Sequence, residues 1–279
     1  EKTGGKCRAE DVTCISLEEL RAQNYDGIVK KLEAVTGFGK VCVNAVDECD
    51  VKVFAVALYR AMARGKVFLF RTAAGFVKVV GGIRDIPLLK RHDMIREDTG
   101  TGGLVVVGSH TQKTTAQLEE LLKLPCTVPI AFQSGLVLQG DEALSAEVDR
   151  CVALEEAAIQ AGKVAVCFTD RKLLTVENDT KESALTRSVK ISGAVQNLVG
   201  RLHITPAFLI AKGGITSSTI GTDALGVKKA NVLGQICPGI PVWQTDSTSK
   251  FPGIPYVIFP GNVGDAETLR QAVEILTAP

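Results

Sequence analysis

The sequence predicts an α/β protein with a partly parallel sheet flanked by helices. Short apolar, β-branched runs alternate with helix-periodic segments along most of the chain. Runs such as Leu104-Val105-Val106-Val107 show no polar alternation, as expected of strands buried on both faces of a parallel sheet. Several of these runs pass directly into turns rich in glycine and hydroxyl residues that open a helix, the place where open α/β sheets bind ligands.

The elements follow in order. Ser16-Leu17-Glu18-Glu19 has the spacing of a capping box and predicts a helix running to about Val35. A strand is expected over 40–45, a helix over 49–64, and a second strand at Val67-Phe68-Leu69-Phe70. Residues 81–103 change character, with Gly81-Gly82, Pro87, the charged Lys90-Arg91-His92-Asp93 and the glycine-rich 99–103, which predicts a domain boundary. Strands are then expected at 104–107, 127–132, 163–168 and 207–211, alternating with helices over 111–124, 141–161 and 182–200. Short strands near 230–235, 241–244 and 255–259, separated by Pro-Gly turns, precede a last helix over 265–276.

With 279 residues the chain has room for two domains of roughly 100 to 200 residues each. Its 46% hydrophobic and 23% charged residues and mean hydropathy of +0.18 exclude a disordered segment. Thirty-two Lys and Arg against 31 Asp and Glu leave a net charge of +1, so no broad electrostatic grip on nucleic acid is expected and anions must be bound locally. No apolar run reaches the roughly 18 residues of a membrane helix, and residues 1–6 lack the apolar centre of a signal peptide; a soluble chain of the cytoplasm, with no membrane partner, is expected. The absence of an initiator Met suggests a piece of a longer polypeptide. Eight cysteines without a Cys-x-x-Cys pair, and three histidines, argue against structural zinc. Cysteines inside apolar runs, as in Val-Cys-Val at 41–43 and Val-Cys-Phe at 166–168, read as buried reduced thiols.

Three strand-to-helix turns could hold an anion. Gly108-Ser109-His110-Thr111 offers helix-terminal N–H groups and hydroxyls, although helix capping uses the same residues. In Lys212-Gly213-Gly214-Ile215-Thr216 the glycines permit close backbone approach, and a plain capped turn is the alternative. Gly261-Asn262-Val263-Gly264 follows a strand in the same way, and an Asx-type turn would use those residues too. Arg71, at the expected end of the 67–70 strand, could clamp a carboxylate or pair at the surface. Neither a Walker A loop nor a G-x-G-x-x-G fingerprint is present, so a dinucleotide enzyme is disfavoured. No histidine has an evident nucleophile and orienting acid beside it.

The segments CRAEDV at 7–12, FRTAAGFV at 70–77, GGLVVVGSHTQKTTAQLE at 102–119, AKGGITSS at 211–218, VLGQICPGIPVW at 232–243 and FPGIPYVIFPGNVG at 251–264 resemble the four-carbon acid sugar kinase family, in order and over nearly the whole chain. That resemblance implies ATP-dependent phosphorylation of threonate, erythronate or 3-oxo-tetronate, with a divalent metal such as Mg²⁺. It implies that 1–98 is the C-terminal part of an acid-sugar-binding domain and 102–279 a nucleotide-binding domain. It assigns ATP contacts to Ser109, Gly213, Gly214, Thr216, Gly261, Asn262, Val263 and Gly264, and a substrate contact to Arg71; a homodimer is compatible with it. The family's kinases begin with an Asp-Asp-x-Thr-Gly segment that nothing in residues 1–40 matches, so the implied base lies upstream of Glu1 and no metal ligand is assigned. Thr219 stands where Asp is expected, and Thr169-Asp170-Arg171 where Thr-Ser-Arg is usual. A non-catalytic nucleotide-binding or scaffold module of a larger fused protein is the alternative.

Overall fold

In the computed structural model the described residues are 8–97, 99–172, 174–177 and 179–278. Cys7 with the start of its motif, and residue 98 at the expected domain end, lie outside the described residues. The chain divides into two compact units, Glu1–Ile86 and Pro87–Pro279. The division falls within the 81–103 stretch, ahead of the 98–102 limits that the resemblance implies, because Leu89, Met94 and Ile95 pack into the core of the second unit.

The smaller unit holds β1 (Val12–Ile15), α1 (Leu17–Arg21), α2 (Tyr25–Ala34), β2 (Lys40–Val43), α3 (Glu48–Ala63) and α4 (Ala74–Val80). The capping box is present: Glu19 N donates to Ser16 Oγ at 3.2 Å, and Ser16 N to Glu19 Oε2 at 3.0 Å. The single helix expected over 16–35 is instead two. Gln23 adopts a left-handed φ of 52° and Asn24 recaps the chain, its Oδ1 accepting from Gly27 N at 3.1 Å. β1 and β2 pair in parallel, and Ile15, Leu20, Ile28, Leu32, Phe54 and Leu58 form the core beneath them. The strand expected at 67–70 does not form, because this stretch meets no partner strand: the two-stranded sheet contains β1 and β2 only. α4, which begins inside the FRTAAGFV segment at 70–77, was not expected.

The second unit contains α5 (Arg91–Met94), β3 (Leu104–Val107), α6 (Gln112–Leu121), β4 (Thr127–Phe132), α7 (Asp141–Gln160), β5 (Val164–Thr169), α8 (Lys181–Gly200), β6 (Leu209–Lys212), α9 (Gly214–Thr219), β7 (Ala230–Cys237), β8 (Ile240–Thr245), β9 (Pro255–Phe259) and α10 (Thr268–Thr277). The seven strands lie in the order β4-β5-β3-β6-β9-β8-β7; the first five run parallel, and β8 and β7 complete the sheet in antiparallel fashion. The sheet is therefore mostly parallel and flanked by helices. Pro129, which cannot donate to a ladder, sits in the edge strand β4.

β3 is buried at all four residues. Leu104 and Val106 pack with Val148, Cys151 and Leu198 from α7 and α8, while Val105 and Val107 pack with Leu118, Leu269 and Val273 from α6 and α10. Burying each such side chain is worth about 1.5–3 kcal/mol, which explains the unbroken apolar run. Of the cysteines, Cys151, Cys167 and Cys237 are buried, but Cys14, Cys42 and Cys49 are exposed. The expectation of a buried Cys42 fails because, among the described residues, no element covers its face of the two-stranded sheet. Among the described residues no helix is long and apolar enough to cross a membrane.

Gly102 locks the entry to β3. Its N–H donates to Ile159 O and its carbonyl accepts from Ala207 N, and a Cβ there would sit 1.6 Å from Lys163 O. Gly102→Ala should therefore destabilise the larger unit by at least about 1–3 kcal/mol, read as a lower urea midpoint at unchanged slope. Gly65→Ala, whose Cβ would meet nothing within 4 Å but whose φ is +92°, should affect only the smaller unit.

Candidate functional site

The sheet order creates a switch point between β3 and β6. From β3 the chain proceeds through α6 toward β4, and from β6 it proceeds toward β7 on the opposite side. Loops that leave adjacent parallel strands in opposite directions open a crevice at the strands' carboxyl ends. Val107 of β3 pairs with Lys212 of β6, and Lys212 with Phe259 of β9. The three strands thus end level, and the turns 108–111, 213–216 and 260–265 emerge side by side.

The 260–265 turn is held by its carbonyl oxygens. Lys212 Nζ donates to Pro260 O at 2.7 Å and Gly261 O at 3.3 Å. Lys113 Nζ donates to Asn262 O at 3.2 Å and Gly264 O at 3.0 Å. Gln117 Nε2 donates to Val263 O at 3.1 Å and Asp265 O at 2.7 Å. Six consecutive carbonyls are committed to three side chains from β6 and α6. Among the described residues the N–H groups of Gly261, Asn262, Val263 and Gly264 find no hydrogen-bond acceptor. Those of Ser109, His110 and Thr111 likewise have no protein acceptor, at the start of α6, where the free amides and the helix dipole favour an anion. Successive unpaired amides of this kind form an anion-binding concavity.

The glycines separate into two kinds. Gly108 and Gly213 are demanded by the protein itself: a Cβ on Gly108 would lie 2.2 Å from Thr216 Oγ1, and Gly213 has φ +127°. These contacts bring Thr216 against Gly108 and Gly213, with Ser109 Cβ 3.5 Å from where a Gly213 Cβ would stand. Gly214 and Gly261 are different, since a Cβ on either would meet no protein atom within 4 Å and neither has a positive φ. Their lack of a side chain leaves open space beside the unpaired amides.

Hydroxyls line the same corner. Thr114 Oγ1 donates to Ser109 Oγ at 3.2 Å, and Thr111 Oγ1 caps α6 by accepting from Thr114 N at 3.3 Å. Arg171 reaches in from the end of β5, its Nη2 donating to Ser109 O at 2.7 Å and Thr115 Oγ1 at 3.0 Å. Its Nη1 is buried and has no partner among the described residues. Asp170 accepts from Ser134 Oγ at 2.7 Å and Gly135 N at 3.2 Å, which gives Asp a structural use where Ser was expected. Thr219 Oγ1 donates back to Ile215 O at 3.1 Å within its own helix.

Ser109, Gly213, Gly214, Thr216 and Gly261 to Gly264 therefore all lie on turns that leave three adjacent strands. Arg71 belongs to the smaller unit, where it is exposed and its guanidinium forms no hydrogen bond or ion pair among the described residues. Sequence reasoning missed Lys113, Gln117, Lys212 and Arg171. Lys212 carried a visible signal, a lysine closing an otherwise apolar strand. Lys113 and Gln117, one helical turn apart on α6, carried none.

The fold is thus an α/β domain with a mostly parallel sheet and amide-lined turns at its switch point. The model of the nucleotide-binding C-terminal domain matches residues 104–269, and the chain belongs to that family. A structure from Salmonella typhimurium LT2, provisionally described as a tRNA synthase, matches with 16% identity and a TM-score of 0.63 over 94% of this chain and 59% of its own. A domain of unknown function (DUF1537) from Bordetella bronchiseptica, a domain-swapped dimer with bound citrate, matches at 18% identity and a TM-score of 0.48 over 95% of this chain and 59% of its own. The chain thus spans less than two thirds of the solved chains it resembles. No curated protein matches it.

Lys212 is fully buried, 4.4 Å from the centre of the Phe259 ring, and burial, aided by the charge of Lys113, lowers its pKa to about 8. The folded pKa lies below the ordinary 10.5, so charging Lys212 costs stability in full below pH 8, and this cost fades as pH rises toward the unfolded value. Over the same rise the 260–265 turn loses the positive charge behind it. Anion affinity should therefore fall as pH passes through about 8. Lys212→Met should bind ADP about tenfold or more weakly at pH 7 and lack this pH dependence, as measured by calorimetry.

Proposed function

We propose that this chain is the nucleotide-binding portion of an ATP-dependent kinase that phosphorylates a four-carbon acid sugar of the threonate, erythronate or 3-oxo-tetronate class. The observation that carries the reading is the coincidence of two independent facts. The three turns that resemble the kinase family's ATP-contacting segments are the same three that end level on β3, β6 and β9 with unpaired amides. In this reading residues 102–279 bind the nucleotide, and residues 1–98 belong to the acid-sugar domain, with Arg71 as a carboxylate clamp.

The chemistry of the turns suits a polyphosphate. The amides of 109–111 and 261–264 and the hydroxyls of Ser109 and Thr216 would surround phosphate oxygens, the open sides of Gly214 and Gly261 admit them closely, and Arg171 Nη1 offers a further donor. Phosphoryl transfer asks the protein mainly for positioning and charge stabilisation, which fixed amides supply without reorganisation. Among the described residues no group of three or more His, Cys, Asp or Glu could hold a metal. Mg²⁺ would then enter on the nucleotide's own phosphates, since it needs few protein ligands. The non-catalytic module is the second reading. It is favoured by one observation: Asp265, the carboxylate on the 260–265 turn, accepts at Oδ1 from Thr268 Oγ1 and Glu267 N, which hold it below the usual carboxylate range and make it a poor base.

Calorimetry with Mg-ADP and Mg-ATP should give binding of about −8 to −4 kcal/mol, weakened in Ser109→Ala and in Gly261→Val. Gly261→Val should leave the thermal midpoint unchanged, since its side chain meets no protein atom at Cβ. Absence of binding by the folded chain would remove the nucleotide reading. Joined to a polypeptide carrying an Asp-Asp-x-Thr-Gly segment, the chain should release ADP only when a four-carbon sugar acid is present. Nucleotide binding without such turnover would select the module.

A further inference from the structure

Arg171 is a cation without a counter-ion. It follows β5, whose Phe168 pairs with Val107 of β3, so four strands in the order β5-β3-β6-β9 end level beneath the candidate site. Among the described residues its guanidinium meets no carboxylate. Asp170, beside it in the chain, accepts from Ser134 Oγ and Gly135 N, while Nε and Nη2 of Arg171 go to neutral acceptors, Ser109 O and Thr115 Oγ1. The side chain is half-buried, and burial pulls its pKa down with no acid to oppose the pull. With Nη1 buried and unbonded, its charge carries a desolvation cost that no neighbouring group offsets.

Other arginines of the larger unit are placed differently: Arg150, Arg187, Arg201 and Arg270 each bridge to a carboxylate. Lys113 and Lys212 put their charges on the carbonyls of the 260–265 turn. Arg171 differs from all of these in keeping a buried donor unbonded at the edge of a turn lined with free amides.

The two flanks of the site also differ in polarity. Beyond β9 the turn 237–240 is apolar: a Cβ on Gly239 would stand 3.2 Å from Val263 Cγ1, and Cys237 and Ile240 are buried. On α9, Ile215 is 74% exposed beside the open Gly214. Toward β5 the flank is Arg171, followed by the exposed Lys172. A nucleoside triphosphate has the same polarity, an apolar base at one end and its highest charge at the terminal phosphate.

We propose that Arg171 makes the site selective for a nucleoside triphosphate over the diphosphate, its Nη1 taking the terminal phosphate while its Nη2 holds the Ser109 carbonyl. The inference rests on the nucleotide reading of the three turns and adds which end of the ligand meets which strand. A guanidinium holds its donors in one rigid plane, so the bonds of Nε and Nη2 to Thr115 and Ser109 fix where Nη1 stands. A terminal phosphate oxygen there gains a charge-assisted bond and supplies the missing counter-ion, which a diphosphate does not reach.

Calorimetry on the whole chain with Mg-ADP and Mg-ATP tests the assignment. The wild-type chain should bind Mg-ATP about tenfold more tightly than Mg-ADP. Arg171→Met should lose about tenfold or more for Mg-ATP and less than about threefold for Mg-ADP, so that the preference disappears. Arg171→Lys, which keeps a charge on a flexible stem, should recover part of it. A role confined to holding the Ser109 carbonyl would weaken both nucleotides by the same factor and overturn the assignment. A wild-type chain that binds both without preference would also overturn it, and in either case the nucleotide reading would stand. A folded wild-type chain that binds neither would remove the reading and the assignment together. Should Arg171→Met fail to fold, Arg171→Lys supplies the comparison, a loss confined to Mg-ATP supporting the assignment and an equal loss overturning it.

Discussion

The arrangement of the candidate site depends on one constraint, the commitment of six consecutive carbonyls of the 260–265 turn to Lys212, Lys113 and Gln117. A peptide unit points its N–H away from its C=O, so a turn held by its oxygens on one side presents its amides on the other. The positive charges of the two lysines stand behind those amides, and the amides carry the partial charge forward. In the proposed reading the turn receives an anion through its backbone, with the cations acting through it rather than by direct contact. Burial of Lys212 makes the arrangement sensitive to its protonation, since the same low-dielectric position that strengthens its bonds lowers its pKa to about 8.

That constraint works only because the strands beneath the turns are fixed in register. Val107, Lys212 and Phe259 lie level across β3, β6 and β9, and a shift of one residue in β6 would turn Lys212 to the other face of the sheet. Burial of every β3 side chain and the backbone bonds of Gly102 resist such a shift. Tyr256 adds a pin from β9, its buried hydroxyl donating to Ser217 O at 2.6 Å and so fixing α9 behind the Gly213-Gly214 turn.

The larger unit was legible in the sequence because its elements are long, apolar and mutually buried, so local pattern and tertiary environment agree. The turns were legible as strand-to-helix connections because glycine and hydroxyl residues after an apolar run mark such a turn, whether it holds a ligand or only caps a helix. Lys113 and Gln117 were not, since an exposed-looking Lys and Gln on a polar helix give no sign that a segment some 150 residues away will fold onto them. The elements misjudged in the smaller unit share one cause. The 67–70 run has the composition of a strand and Cys42 that of a core residue, but composition states what a segment could bury, not whether a partner is there to bury it. Gln23, with its left-handed φ, broke the 16–35 helix against its periodicity, a local event that a pattern of apolar residues cannot register.

The two units accordingly satisfy their backbones to different degrees. In the larger one each interior strand has neighbours on both edges, the outer strands are blunted by Pro129 or by the antiparallel β7, and helices cover both faces. In the smaller one the core beneath α2 and α3 is complete, while an edge of β2, the 67–70 stretch and the face carrying Cys14 and Cys42 are open. Apolar side chains such as Val67 and Leu69 would gain about 1.5–3 kcal/mol each on full burial. The sequence therefore retains a driving force for covering the 67–70 stretch.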